Sequence, residues 1–468
     1  MTSLDDAPLP RLVLDLARDF AAEGGRLYVV GGWVRDALRG AVSKDLDLEV
    51  YGVPAARIEA LLAPRGFTAP VGKQFAVWRH TREGLDVAQP ATPQEAAAPG
   101  AETPSDPARQ FARAARRRDL RVNAMAFDPL ERIVLDPLGG REDLASGRLV
   151  AADEATFGED PLRVLRAARL SAALSATPSG ALVALCRALD LAAVPVERLA
   201  GELDRILLTL ETPWRAIETL DALGQLDVFP PLAALRGVPQ DPEWHPEGDV
   251  FLHTGRVVDQ AASMARAEGL DGEPHAILMW AALCHDLGKP AATAIGDDGR
   301  IRSPAHDTGG ETITREWLTS LRLSARRVEA VATLVRHHLA PALYVHNGAK
   351  ARGYRRLARK LDAAGVTPID LERVARADHL GRTTPQALAG RFDEGVQFLA
   401  TARAAFVERG PRNDVVKAAT LMQRGVEAGP ELGRLLERAR ELQDETGLHD
   451  EATLVARLLR ERARAQQA

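Results

Sequence analysis

The sequence predicts an α+β chain: a small mixed α/β head followed by mainly α-helical segments. Three observations carry this. Short apolar runs of strand type alternate with helical stretches between residues 27 and 88. Beyond the head, Ala, Leu and Arg dominate while aromatics make up only 4% of the chain, a composition that favours helix. The 468 residues, 46% apolar, suffice for roughly three domains with real cores. The motifs divide the chain into segments 1–150, 151–240, 241–385 and 386–468.

In order along the chain, residues 9–22 offer Leu12, Leu14, Leu16, Ala17 and Phe20 as apolar positions of a helix. The run 27–30 reads as a strand, and Gly31 and Gly32 follow it, then a short helical piece, 33–38, and Gly40. Adjacent glycines let a backbone approach a ligand closely, and the helix after them presents free N–H groups to a phosphate. Arg35 lies on its first turn, where a planar guanidinium can grip a triphosphate. Asp45 and Asp47 stand two apart in the next apolar stretch, so a strand there points both to one face. Paired carboxylates repel unless a divalent cation sits between them. Alone, the glycine pair is a weak signal and Asp-x-Asp a solvated strand face; together in this order they fit metal-assisted nucleotidyl transfer. Ala55–Leu62 reads as a helix, with strands at 75–79 and 85–88. Asp86 is either a third carboxylate beside the pair or a solvated residue on an edge strand. Residues 89–109, rich in Pro, Ala and acidic residues, read as a flexible loop.

The arginines 116–118 read either as a solvated helix face or as part of a site. The stretch GGxVRDxLxG followed by KDxDxE, then RRDLxxNAMAxDP and DPLGGxxDL, resembles the motif series of the class II tRNA nucleotidyltransferases and bacterial poly(A) polymerases. That resemblance implies a nucleotidyltransferase head with two Mg²⁺ ions held by Asp45 and Asp47. It implies CTP and ATP as substrates and the tRNA 3′ end as acceptor. Gly32 and Arg35 would hold the triphosphate, and Arg118, Asp119 and Asn123 would shape the nucleotide pocket.

Further on, Pro161 suits an early helical position, and Asp160 and Arg163 are three apart on one face. The bland reading is an intrahelical ion pair of little energetic worth. The sharper one is a donor and an acceptor reading the edge of a base. In the resembled family this EDxxR motif selects the incoming C or A, and Arg166, one turn on, supports the base or triphosphate. Residues 180–235 read as helices with short breaks, and VERLAGELDRILL resembles the family's neck helix. The Ala/Pro-rich loop departs from the family's more polar one, which leaves open full CCA, CC-only or A-only addition.

A second set of residues begins at WHPE, residues 244–247. His253, His285-Asp286, His306, His337, His338 and Asp378 follow. A lone His on an apolar helix is ordinarily a core residue, but an HD doublet flanked by further His and Asp makes a borderline metal set. The pattern, with DLGK after the doublet and DxxGR at Asp378, resembles the HD phosphohydrolase domain. It implies a divalent transition metal on His253, His285, Asp286, His306, His337 and Asp378, and hydrolysis of phosphoesters such as 2′,3′-cyclic phosphates on RNA 3′ ends. An HD domain that binds RNA without hydrolysis is the alternative. Residues 389–466 read as charged surface helices.

The net charge of −5 restricts nucleic-acid contacts to local basic patches. Cys186 and Cys284 sit in apolar helical contexts, as buried thiols of a reducing compartment do. No run reaches membrane-span length, which points to a cytoplasmic protein with no membrane partner. Two other activities compete with CCA addition: poly(A) synthesis, which shares the head motifs, and phosphohydrolysis as the main activity.

Overall fold

The computed structural model describes residues 4, 7–41, 46–68, 76–90 and 106–467. Asp45 and residues 91–105 of the expected loop lie outside them. The chain divides into two compact units, Met1–Glu202 with Arg215–Val228, and Leu203–Trp214 with Phe229–Ala468.

The first unit is built on a mixed six-stranded sheet. Its strands are β1 (Arg26–Val30), β2 (Asp47–Tyr51), β3 (Ala76–Arg79), β4 (Asp86–Gln89), β5 (Ala126–Asp128) and β6 (Ile133–Leu135), in the order β3-β4-β2-β1-β5-β6. β1 runs antiparallel to β2 and β5, and β2 parallel to β4. Four consecutive residues of β1, Leu27 to Val30, are buried, because helices cover both faces. On one face Leu27 and Val29 pack with Val13, Leu16 and Phe20 of α1 (Arg11–Ala22), and with Val34 and Leu38 of α2 (Gly32–Leu38) and Ile58 and Leu62 of α3 (Ala55–Leu62). On the other, Tyr28 and Val30 pack with Tyr51 and with Phe111 and Ala115 of α4 (Pro107–Ala115). Each fully buried Leu or Phe contributes about 1.5–3 kcal/mol, so the central strand is anchored from both sides. The alternation along β2 follows: Leu48 and Val50 enter the first core, leaving Asp47 and Glu49 on the face of Tyr51.

The second unit is helical. Val250–Ala267, Gly272–Cys284, His306–Ser320, Ala325–His337 and Pro368–Gly381 pack around Trp280, Trp317 and Leu318. Pro368 opens its helix behind a capping box in which Thr367 and Asp370 satisfy each other's backbone N–H groups. At that helix's far end a Cβ on Gly381 would lie 2.6 Å from a Val257 methyl, so glycine permits the approach that joins the two helices. Pro430–Thr446 and Glu451–Gln467 close a separate small core with Leu421, Leu442, Leu454 and Leu458. No helix among the described residues is long and apolar enough to cross a membrane.

Candidate active site and metal centre

In the head, the polypeptide leaves β1 through Gly31, whose φ of +73° favours glycine. A Cβ there would lie 3.3 Å from Arg118 Nη1 and 3.8 Å from Asp47 Oδ2. The end of β1, the start of β2 and Arg118 thus enclose a cradle that a side chain would fill. Val30 pairs with Asp47 across the sheet, and Asp47 pairs with Asp86 on its other side. β4 lies between β3 and β2, so Asp86 is not on an edge strand; Arg79 holds its two oxygens at 3.0 Å each. Asp47 is exposed, and its partner in the motif, Asp45, lies outside the described residues.

One hydrogen-bonded chain connects the remaining head residues. Arg35 donates to both Asp36 oxygens, at 2.8 and 2.9 Å, and to Asn123 Oδ1 at 2.6 Å. Asn123 Nδ2 donates to Asp119 Oδ1 at 3.0 Å, and Arg166 Nε donates to Asp119 Oδ2 at 2.8 Å. Burial raises the cost of charging Asp119, but the Arg166 guanidinium, Asn123 and the Leu120 N–H outweigh it and hold the carboxyl below its usual range. A buried negative charge is thereby kept at Asp119 with three donors ordered around it. Arg118 donates to Glu49 Oε1 at 2.8 Å and to the Asn123 carbonyl at 3.3 Å, and Tyr51 donates to Glu49 Oε2 at 2.5 Å. Arg118 is therefore aimed by Glu49. Arg116 and Arg117 follow the end of α4 and pair with Asp153 and Glu159, at 3.2 and 3.4 Å, while remaining solvent-exposed, so they are solvated but lie beyond the helix; Arg118 alone of the three turns inward to Glu49.

The EDxxR residues are arranged differently from the helical ion pair expected from spacing. The helix begins at Arg163, and Asp160 precedes it. Asp160 accepts from Arg198, at 3.1 and 2.8 Å, rather than from Arg163. Arg163 donates to the carbonyls of Thr156 and Arg117, at 2.7 and 2.5 Å. A partner 38 residues away replaces the neighbour three away, because ahead of the helix the two side chains no longer share a face. Arg163 is nevertheless joined to the Arg117–Arg118 segment that faces Asp47.

The second unit gathers a buried cluster. His253 Nδ1 lies 2.8 Å from Glu247 Oε1, and its Nε2 lies 3.0 Å from Asp378 Oδ1. His285 Nε2 lies 3.1 Å from Asp286 Oδ2, and His306 Nε2 lies 3.4 Å from both Asp286 Oδ1 and His338 Nε2. The Nδ1 atoms of His285, His306 and His338 face the carbonyls of Ala282, Ser303 and Val335, at 2.8, 2.7 and 2.7 Å. Those contacts leave each Nε2 directed inward as a lone-pair donor. His285 Nε2 and Asp286 Oδ1 are buried without a hydrogen-bond partner of proper geometry among the described residues, while Asp286 Oδ2 lies 2.7 Å from the Lys289 ammonium. Such orphaned atoms are costly unless an ion completes them, and a borderline N/O set fits a divalent metal. The candidate ligand atoms fall into three triads, His245–Glu247–His253, His253–His285–Asp378 and Asp286–His306–His338, of which the last two enclose the orphaned atoms.

His337 is corrected here. The helix Ala325–His337 and its C-cap turn His338 into the cluster, while His337, one residue or about 100° away, faces the surroundings of Lys360, Arg336 and Glu311. Burial and the neighbouring His285 push His338 down to about 4, so its imidazole is neutral at pH 7, as metal binding would require. Asp286 stays ionised: against its burial, His285, Lys289 and His306 hold it well below the carboxylate range. Spacing alone did not select His338, nor did it mark Glu247 as the group that orients His253. The WHPE stretch was the one visible signal for Glu247.

Comparison with known proteins places the chain in a family. Residues 27–150 match the Poly A polymerase head domain, and residues 250–382 the HD domain. A multifunctional CCA protein of Xylella fastidiosa is 35% identical over 327 residues, covering 67% of this chain and 73% of the relative. One from Stenotrophomonas maltophilia is 34% identical over 324 residues, covering 67% and 76%. Among solved structures, the Bacillus stearothermophilus CCA-adding enzyme in complex with CTP has a TM-score of 0.62 at 20% identity, covering 97% of this chain and 98% of that one. The Thermotoga maritima CCA-adding enzyme complexed with tRNA has a TM-score of 0.58 at 17% identity, covering 98% and 97%. At those identities the solved structures speak for the fold.

Proposed function

The chain belongs to the CCA-adding class II nucleotidyltransferases that carry an HD domain, and on that footing we propose how its residues divide the work. Its activity is nucleotidyl transfer for CCA addition, with CTP and ATP as donors and the tRNA 3′ end as acceptor. Asp45 and Asp47 would hold Mg²⁺, and two ions bound there would supply activation of the terminal hydroxyl and charge compensation for the leaving pyrophosphate. Gly31 and Gly32 admit the triphosphate to the backbone, and Arg35 exchanges Asp36 for phosphate oxygens. Asp119 keeps Asn123 and Arg166 fixed beneath the sugar and base. Asp160 and Arg163 read the base edge when a nucleotide displaces Arg198 and the carbonyls that now occupy them. The observation that carries this reading is the cradle at Gly31, bounded by Asp47 and Arg118 and joined to Arg166 through Asn123 and Asp119.

The test is a terminal-addition assay on tRNA ending in its discriminator base, in C, or in CC, with each nucleotide alone. Ordered addition of two C and one A, lost in Asp47→Ala, supports the full assignment. Addition that stops at CC, or that needs CC to begin, marks a partial enzyme. Homopolymer growth on generic RNA would restore the poly(A) reading, and activity equal in Asp47→Ala would refute the site.

A second reading is carried by the orphaned atoms of His285 and Asp286. We infer a phosphohydrolase that opens 2′,3′-cyclic phosphates or removes terminal phosphates from RNA 3′ ends. His253, His285, Asp286, His306, His338 and Asp378 would hold a divalent transition metal, which supplies a lowered water pKa at neutral pH. Lys289, whose ammonium lies 2.7 Å from Asp286, and Arg382, 3.6 Å from Asp378, stand ready for phosphate oxygens. Hydrolysis of a nucleoside 2′,3′-cyclic phosphate lost in His285→Ala supports it; absence of both bound metal and hydrolysis refutes it. Two free, buried cysteines accord with action in the cytoplasm.

A further inference from the structure

The cavity above the second cluster has one wall whose chemistry the phosphohydrolase reading does not use. It encloses about 230 Å³ and is floored by Asp286, His306, His338 and Asp378, with Lys289 and Arg382 at the polar side. Trp244, Ile301 and Leu339 are the apolar residues of its lining. Trp244 is 54% exposed, whereas the other five tryptophans, Trp33, Trp78, Trp214, Trp280 and Trp317, are all buried. An indole left in water at a polar pocket has given up a burial worth several kcal/mol on the scale of apolar area, and needs a reason.

The turn that presents it is firmly built. Glu243 N–H donates to Asp241 Oδ1 at 3.0 Å, and the N–H groups of Trp244 and His245 donate to the Asp241 carbonyl at 3.1 and 2.9 Å. Arg300 bridges Asp241 and Glu243, and Gln240 donates to the Gly248 carbonyl at 3.2 Å. Glu247 then ties the turn to His253, and through its second oxygen to the Thr383 N–H at 3.0 Å. The backbone that carries the aromatic is thus held in place relative to the cluster, as a recognition platform requires.

We propose that Trp244 is a base-stacking platform, and that the cavity takes a single base-bearing terminal nucleotide: base against Trp244, phosphate toward Lys289 and Arg382. The inference rests on the phosphohydrolase reading and adds to it the residue that would contact the base. An indole stacks on any base, because each has a π-face, so the selection is for a nucleotide over a base-free phosphate and not for one sequence.

The test is equilibrium binding of a nucleoside 3′-monophosphate and of ribose 3-phosphate to the full-length protein, read by tryptophan quenching and by calorimetry. The expected result is tighter binding of the nucleotide by the wild type, roughly 5- to 100-fold, the range that stacking on one aromatic provides. That ratio falls to near one in Trp244→Ala and is largely restored in Trp244→Phe. Quenching in the wild type that disappears in Trp244→Phe locates the signal at this indole and separates it from nucleotide bound in the head. Thermal unfolding of each variant shows whether it is folded; if Trp244→Ala is not, the wild type and Trp244→Phe alone decide. Equal affinity for nucleotide and sugar phosphate, or a ratio unchanged in Trp244→Ala, overturns the proposal. Loss of hydrolysis with selective nucleotide binding intact would sink only the phosphohydrolase reading.

Discussion

Replacing Gly288 with Ala, in the HDLGK stretch, adds one methyl group and alters no candidate ligand's side chain. The φ of −82° at Gly288 is open to any residue, so backbone strain plays no part. The obstacle is space: the added Cβ would lie 2.0 Å from the His306 carbonyl oxygen and 2.6 Å from the Gly310 N–H nitrogen. Both are backbone atoms that cannot swing aside, so the turn and the helix His306–Ser320 must part by about 1 Å to reach a 3.0 Å contact. Overpacking of this kind costs about 1–3 kcal/mol. In a unit of this size each kcal/mol lowers Tm by about 2–4 °C, giving roughly 2–12 °C in all. The same parting separates His285 and Asp286 from His306 and His338. Metal affinity should fall about 10- to 100-fold, as when the groups behind metal ligands are disturbed. Calorimetric titration of the metal-stripped protein with Mn²⁺ or Ni²⁺, beside a thermal melt, checks both figures. A Gly288→Ala protein with unchanged Tm and metal affinity would refute the argument that this glycine seats the two halves of the cluster together.

Other outcomes follow from the same geometry. His338→Ala should lower bound metal about 10-fold or more while His337→Ala does not, measured by metal content after dialysis; the reverse would return His337 to the cluster. Asp119→Asn should cost about 1–3 kcal/mol by leaving Arg166 short of its carboxylate, with the value kept low because Arg166 is partly exposed. Asp119's folded pKa lies below its ordinary value of 3.8, so its stabilisation is present above about pH 4 and is lost as pH falls through the lowered value. Melts between pH 3 and 7 should show a smaller acid loss in Asp119→Asn than in the wild type. Arg198→Ala removes the ion pair that occupies Asp160, and should shift the ratio of C to A incorporated in a mixed-nucleotide assay; an unchanged ratio would argue against base reading by Asp160. Chelation should abolish both activities, with Mg²⁺ restoring addition and a transition metal restoring hydrolysis.

What the sequence determined by itself was local. A strand, two glycines and a helix in succession define one geometry, because each period is set by the backbone; Ala55–Leu62 forms the helix expected of it, bound for bound. The same holds for the α+β class, since a four-residue apolar run bounded by glycines and a long Ala/Leu/Arg-rich stretch cannot exchange roles. What only the tertiary structure decided was which side chains meet. Asp86 stands beside Asp47 because β2 and β4 run parallel in a particular register, which neither strand specifies alone. Asp160 meets Arg198 rather than Arg163 because the helix starts three residues later than Asp160, a boundary of the kind sequence locates least well. His338 displaces His337 because a single residue turns a helix by about 100°, and the direction of the cluster is fixed by other helices packed against it. Periodicity names the face of an element; packing supplies the partner across from it, and catalytic clusters are made of such partners.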